Sequence, residues 1–269
     1  MKQVASLQYG VIFKKAFSQP DIFSAFVKAV LGIEFSCDKV ETEKSFKPTI
    51  DYVDSRFDLF AQDEKNRVIV DIQHAQSESH YDRFLYYHCA ALLEQIPKGE
   101  RSYRPKLKVF TIVVLTSNDR HGKDVLTIDF DPKDLHGNGI NEIAHKVIFL
   151  CPKYVNENTP KAYKEWLDAI KDTLDEKVEE SNYHDAMIQK IFTAIEKDGI
   201  SPTERYAMFE EYDRREIMAT ELKKEILKEK KLMAKNLIAA NVAMEIIVQT
   251  TGLTVAEIEN LPNEDLDDE

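Results

Sequence analysis

Cysteine is scarce in this 269-residue chain: Cys37, Cys89 and Cys151 stand far apart. They form no CxxC pair and no Cys/His spacing of a zinc site, so a disulfide framework and a structural zinc are both excluded as organising principles. Reduced, buried thiols in a cytoplasm are the expectation. No stretch approaches the roughly 20 apolar residues that a membrane helix needs. The first ten residues, MKQVASLQYG, lack the apolar core of a signal peptide. Serine and cysteine nucleophile motifs are missing, which removes a hydrolase triad from consideration. Positive charge is in deficit: the net charge is −12, so any attraction for nucleic acid must come from a local patch. No internal repeat is present.

What the chain does contain is ordinary apolar content, enough to bury a substantial core, and a legible order of elements. Val11 to Leu31 reads as one or two helices, with Pro20 and Asp21 placed to start the second. Ser45 to Gln73 reads as extended arms, with Pro48 at an edge or entry. Ser77 to Ile96 has helical spacing, with Phe84, Tyr87, Ala91 and Leu92 on one face and Pro97 and Gly99 as a stop. Lys108 to Thr116 is a continuous apolar run, suited to a central strand. Val125–Phe130 and Lys146–Cys151 read as further strands around a loop at 131–141. Pro160 to Asp175 is amphipathic, with Trp166 and Ile170 on a common side. Glu179 to Leu237 reads as mostly helical, broken near Gly199 and Pro202. The predicted fold is mixed α/β, with a hairpin feeding a central sheet and a mainly helical C-terminal extension. The expected boundaries are residues 1–175 for the α/β domain, 176–237 for the helical extension, 238–262 for a helix-turn-helix-like unit and 263–269 for an acidic disordered tail.

The most informative stretch is RFDLFAQDEKNRVIVDIQ, Arg56 to Gln73. Phe57 and Leu59, then Val68, Val70 and Ile72, are apolar at every second position, the period of half-buried strands. The polar run from Gln62 to Asn66 is a turn signal. Side chains two apart on a strand share a face, so Asp71 and Gln73 point one way and Val70 and Ile72 the other. With Asp58 on the same side, two carboxylates and an amide converge, and oxygen-rich sites of that kind suit Mg²⁺ or Mn²⁺. The bland alternative is an ordinary hairpin with exposed aspartates.

In its ordered motifs the chain resembles the PD-(D/E)xK nuclease superfamily, in its transposase-like, recombination-promoting branch. VIFKKAFSQPDIFSAFVKAVLG, Val11 to Gly32, resembles the family's opening FK..F region. Asp58 stands where the first metal aspartate stands, and Asp71-Ile72-Gln73 matches the (D/E)-x-(K/Q) element. Tyr81 to Tyr87, then Gln95, Gly99 and Tyr103, resembles the Arg, paired Tyr, Gln, Gly and Tyr signature. Thr251-Gly252-Leu253-Thr254, with Glu257, Ile258 and Leu261, resembles a terminal TGLS..EI..L unit. The likeness covers most of the chain and is thin between about Asn118 and Glu210. Three departures stand out. Asp71 replaces the more usual Glu, Gln73 replaces Lys, and Tyr9-Gly10 stands where an acid often precedes the FK pair.

The resemblance implies a restriction-endonuclease-like core and Mg²⁺- or Mn²⁺-dependent DNA cleavage tied to recombination, mobile elements or defence. Asp58, Asp71 and the Ile72 carbonyl would hold the ion. Gln73, which carries no charge, could position water only by hydrogen bonds. Arg83 would contact phosphate or orient a carboxylate, or else pair on the helix surface. Arg101, Arg104 and Lys106, in the basic run RSYRPKLK, would supply phosphate contacts or form a solvated loop. Arg214 to Lys235, with Met218, Leu222, Ile226 and Met233 at helical spacing, reads as a packing or dimerisation helix or as a basic helix along DNA. Ala243 to Leu261 has the shape of a helix-turn-helix, yet its second helix holds no lysine or arginine to read bases. A homodimer is the expectation for a double-strand cut. The competing reading is a degenerate nuclease fold that binds DNA or protein without cutting.

Overall fold

A computed structural model describes residues 1–46, 55–74, 80–96, 104–117 and 119–261. Pro48, Pro97, Gly99, Arg101, Tyr103, the start of the helix expected from Ser77, and the acidic stretch 263–269 lie outside the described residues. The chain divides into two compact units, Met1–Met208 and Phe209–Glu269.

The first unit is built on a six-stranded mixed sheet. Strands β2 (Glu41–Phe46), β3 (Ser55–Gln62) and β4 (Asn66–Gln73) run antiparallel. Strands β5 (Lys108–Leu115) and β7 (Lys146–Leu150) continue parallel to β4, and β6 (Val125–Asp129) closes the far edge antiparallel. The β3–β4 turn forms where the polar run predicts it. Asp63 accepts the backbone N–H groups of Lys65 at 2.7 Å and Asn66 at 2.6 Å, a side chain standing in for a backbone turn bond.

Helices cover both faces. One face carries α1 (Gly10–Phe17), α2 (Pro20–Leu31), α4 (Lys161–Asp172) and α5 (Ala186–Ala194). Pro20 begins α2, where its missing N–H costs nothing, and Gly32 ends it with φ 65°. Phe17, Phe26 and Trp166 pack there with Leu59, Val68, Val70 and Ile112 from the sheet. The other face is covered by α3 (His80–Leu93), which brings Phe84 against Val113 and Phe149, and Ala91 against Ile69 and Val109. The alternation in β4 predicts a half-buried strand, but β4 is buried on both faces: Ile69, Arg67 and Asp71 lie under α3's side of the sheet and are enclosed like Val68 and Val70. The stretch expected to be helical from Glu179 opens with a single 3-10 turn at Glu180–Asn182, and α-helix begins at Ala186; just before it a short strand β8 (Lys177–Val178) pairs with β1 (Lys2–Gln3).

The second unit contains most of α6 (Pro202–Ala239), with α7 (Met244–Thr251) and α8 (Val255–Glu259). Ala234, Ile247, Leu253, Ile258 and Leu261 form its own small core. Gly252, at φ 68°, makes the turn, and Thr254 and Glu257 form a complete capping box. Met218, Leu222, Ile226 and Met233 on α6 are exposed.

Candidate active site

The β3–β4 ladder stops at Leu59↔Val70, while β4 stays paired to β5 as far as Gln73↔Leu115 and β3 stays paired to β2 as far as Ser55↔Phe46. The sheet therefore forks just beyond Leu59 and Val70. Backbone N–H groups in the mouth of the fork have lost their carbonyl partners and must find others. Two carboxylates supply them. Asp71 Oδ2 accepts the Asp58 N–H at 3.2 Å, and Asp58 Oδ2 accepts the Ile72 N–H at 3.0 Å. The Gln73 side-chain amide donates to Asp71 Oδ1 at 3.3 Å. Asp58, Asp71 and Gln73 thus meet at one point, but not by strict alternation: Phe57 packs on the α3 side of the sheet and Leu59 on the other, so the alternation of β3 breaks at Asp58, beside the fork.

The electrostatics of this point are uneven. Asp71 is 3% exposed. Burial, then the charge of Asp58, pushes its carboxyl well above the ordinary value, against the pull of the Asp58 N–H and the Arg83 guanidinium. Arg83 sits on the exposed side of α3, its guanidinium 4.7 Å from the Phe84 ring centre and 5.7 Å from that of Tyr87. Asp58 is more open, and a lysine approaches it: Lys14 Nζ, from α1, lies 3.6 Å from Asp58 Oδ1. The same ammonium donates to Glu43, whose other oxygen pairs with Arg56. Burial alone would lower the Lys14 pKa, but the hydrogen bond to Glu43 and the charges of Asp58 and Glu43 outweigh it and hold it above the ordinary lysine value. Glu43 is likewise held below the usual carboxylate range, since Lys14 and Arg56 overcome its desolvation.

Glu43 falls opposite Asp58, between the pairs Thr42↔Leu59 and Lys44↔Phe57. Its φ is 55°, within an edge strand. A left-handed conformation costs a non-glycine residue about 1–2 kcal/mol, and such strain gathers at functional sites. Neither Lys14 nor Glu43 stands out as a site residue in the sequence. Lys14 belongs to the FK pair of a helix, and Glu43 to a polar strand with no periodic signal.

The remaining candidates are placed elsewhere. Arg104 and Lys106 are exposed and lead into β5 at the Asn66↔Lys108 end, whereas Asp71 pairs with Val113. At ~3.3 Å per residue the start of β5 at Lys108 lies roughly 16 Å from Asp71 along the strand, and Arg104 and Lys106 precede it. His74 is bonded to Thr116, Nδ1 to Oγ1 at 3.0 Å. A cavity lined by Asn66, Lys108, Asp129 and Lys146 opens at that same far end and includes neither carboxylate.

The donor set suits a divalent ion of the magnesium type. Such ions are commonly held by one or two carboxylates, with waters and substrate phosphates completing the shell. Asp58 and Asp71 provide those carboxylates, and among the described residues Lys14 and Arg83 are the cations that act on them. Among the described residues no cluster of three His, Cys, Asp or Glu side chains forms a fuller cage.

No curated protein matches the chain. The family model described as PD-(D/E)XK nuclease family transposase matches residues 9–225, which takes in the whole sheet and the stretch where the motif likeness is thin, and ends before the Thr251–Leu261 unit. Nucleases with this fold generally use divalent metals, and their partner is DNA. Among the described residues no helix is long and apolar enough to cross a membrane. With a mixed six-stranded sheet, helices on both faces and a carboxylate pair at its fork, the chain belongs to the PD-(D/E)XK nuclease family transposases.

Proposed function

We propose that this protein is a metal-dependent DNA endonuclease acting in recombination or in mobile-element or defence processes. The observation that carries the reading is the meeting of Asp58 and Asp71 at the fork of β3 and β4, one carboxylate enclosed and the other open. Asp58, Asp71 and the Ile72 carbonyl would hold Mg²⁺ or Mn²⁺. When bound, that ion acidifies water and neutralises charge on the scissile phosphate. Gln73, tied to Asp71, orients water from the rim of the site and moves no proton itself. Arg83 supplies positive charge on the α3 side. Arg104 and Lys106 would contact DNA phosphates at a distance from the cut, and Arg101 of the same basic run would add to them. Two copies of the chain would be needed to cut both strands.

The second reading is a nuclease fold that binds DNA without cutting. It draws on the Lys14 ammonium beside Asp58, where it opposes a divalent ion. Nicking of supercoiled plasmid with Mg²⁺ or Mn²⁺ separates the two. The nuclease reading requires ion-dependent nicking that is lost in Asp71→Ala. Absence of nicking with both ions favours the binding module.

A further inference from the structure

We propose that Lys14 supplies, from α1, the positioned ammonium that the Asp71-Ile72-Gln73 element lacks, and that Glu43 is the residue that positions it. The inference rests on the nuclease reading and extends it to a residue outside the hairpin.

Gln73 is neutral, so the catalytic strand itself brings no cation to the carboxylate pair. Lys14 reaches that pair from another element, with Nζ 3.6 Å from Asp58 Oδ1. An ammonium has three N–H donors. Glu43 takes one, and the Asp58 contact is an ion pair longer than a hydrogen bond. Among the described residues donors therefore remain for a phosphate oxygen or the attacking water. The Lys14 side chain is 23% exposed, enclosed enough to be held and open enough to be met by substrate.

The surrounding charges fit this role. Arg56 neutralises the far oxygen of Glu43. Glu43 can then grip Lys14 without adding net negative charge, and the charge of Lys14 is left to face Asp58. Glu43 does so from a left-handed backbone position that an edge strand of this kind does not otherwise need. In hydrolysis, water adds to phosphorus and gives up one proton to solvent, the bond to one deoxyribose oxygen breaks, and that oxygen takes up one proton from solvent. Lys14 keeps its own proton throughout and stabilises the charge that builds on the phosphoryl oxygens.

The test compares plasmid nicking by wild type, Lys14→Met, Glu43→Gln and the double variants Lys14→Met/Gln73→Lys and Lys14→Met/Glu43→Gln. Mn²⁺ affinity by calorimetry and a thermal melt are measured on each. Lys14→Met is expected to slow nicking by about 10²–10³-fold, the scale of losing one preorganised donor. It should still melt cooperatively and bind Mn²⁺ at least as tightly, because the competing ammonium is gone. Glu43→Gln should slow nicking by about tenfold, consistent with a positioned rather than an abolished cation. Placing a lysine at position 73 in the Lys14→Met background should restore at least tenfold of the lost rate, which a purely structural role for Lys14 would not allow. Lys14→Met/Glu43→Gln removes both charges together and must also fail to cut, which covers misfolding of the single variant.

Nicking by Lys14→Met at the wild-type rate overturns the inference and leaves the nuclease reading standing. So does a loss explained by lost Mn²⁺ binding, or a lysine at 73 that restores nothing. Failure of the nuclease reading looks different: wild type itself does not nick with either ion, and the role of Lys14 falls with it.

Discussion

Asp71→Asn is the substitution whose consequences can be worked furthest. In the ion-free protein Asp71 is an enclosed carboxylate beside a second carboxylate, and the fold carries that repulsion. Asparagine has nearly the same shape and no charge. Its carbonyl can accept the Asp58 N–H, and its amide can donate to the Asp58 carboxylate. Exchanging repulsion for a hydrogen bond to a charged group stabilises the ion-free protein by about 1–2 kcal/mol. For a unit the size of Met1–Met208, each kcal/mol moves Tm by about 2–4 °C, so Tm rises by about 2–8 °C. The gain belongs to neutral pH. A carboxyl whose native pKa is raised ionises first in the unfolded chain as pH climbs past 3.8, the ordinary value, and native stability falls from there up to the raised value. Below 3.8 the variant and wild type should converge. Mn²⁺ reverses the ranking. At a hundred times its dissociation constant an ion adds about 2.7 kcal/mol, which lifts the wild-type Tm by about 5–11 °C. In Asp71→Asn that shift should fall below about 2 °C. The assay is a calorimetric melt of both proteins with chelator and with Mn²⁺. An ion-induced shift of equal size in the variant would place the ion elsewhere. A lower Tm for the ion-free variant would refute the stored repulsion.

Three further predictions concern the scaffold. His88 is fully buried, and burial, then His145, pushes its pKa down to about 3. The unfolded chain takes up a proton near pH 6.5 that the native state refuses, so stability falls as pH drops from 6.5 toward 3, by about 1.4 kcal/mol per pH unit. His88→Gln should flatten that limb in urea melts between pH 4 and 6.5, and an unchanged slope would assign the acid sensitivity to other groups. Phe17 stacks on Phe13 with ring centres 4.3 Å apart and meets Phe26 edge-on at 5.2 Å, so Phe17→Ala should cost about 3–5 kcal/mol in denaturant melts; a cost below about 1 kcal/mol would mean this layer repacks freely. Thr254→Ala removes half of a capping box and should cost about 1 kcal/mol, read as faster amide exchange across Val255–Glu259.

The hairpin was legible because its alternation and turn chemistry are local. Val68, Val70 and Ile72 fix which way Asp71 faces, and Asp63 marks the turn; Phe57 and Leu59 do not do the same for Asp58, because they pack on opposite faces of the sheet. The second buried face of β4 was disguised by Arg67 and Asp71, polar residues that read as solvent-facing. Arg67 is enclosed because its guanidinium reaches the Ala91 carbonyl at 3.0 Å and pairs with Glu94, on and just beyond α3, and no local pattern announces that. The meeting of Lys14, Glu43 and Asp58 joins three elements distant in the chain, and periodicity carries no information about such a junction. Strands as short as Lys2–Gln3 and Lys177–Val178 have no period to detect. Adjacency in sequence is a poor guide to place: Arg104 and Lys106 follow the motif helix in sequence, yet they lead into β5 at the end of the sheet opposite the fork.

The fork also sets an order of assembly. Asp58 and Asp71 lie on one hairpin closed by a tight turn, so bringing them together costs little loop entropy. Lys14 arrives only when α1 docks against β3 and β4, a long-range event that comes later. If the carboxylate pair holds the proposed ion, a chain still emerging or refolding can grip it before it has an ammonium beside it. On this reading, the capacity to cut is the last property the protein acquires, and partly folded copies are poor at damaging DNA.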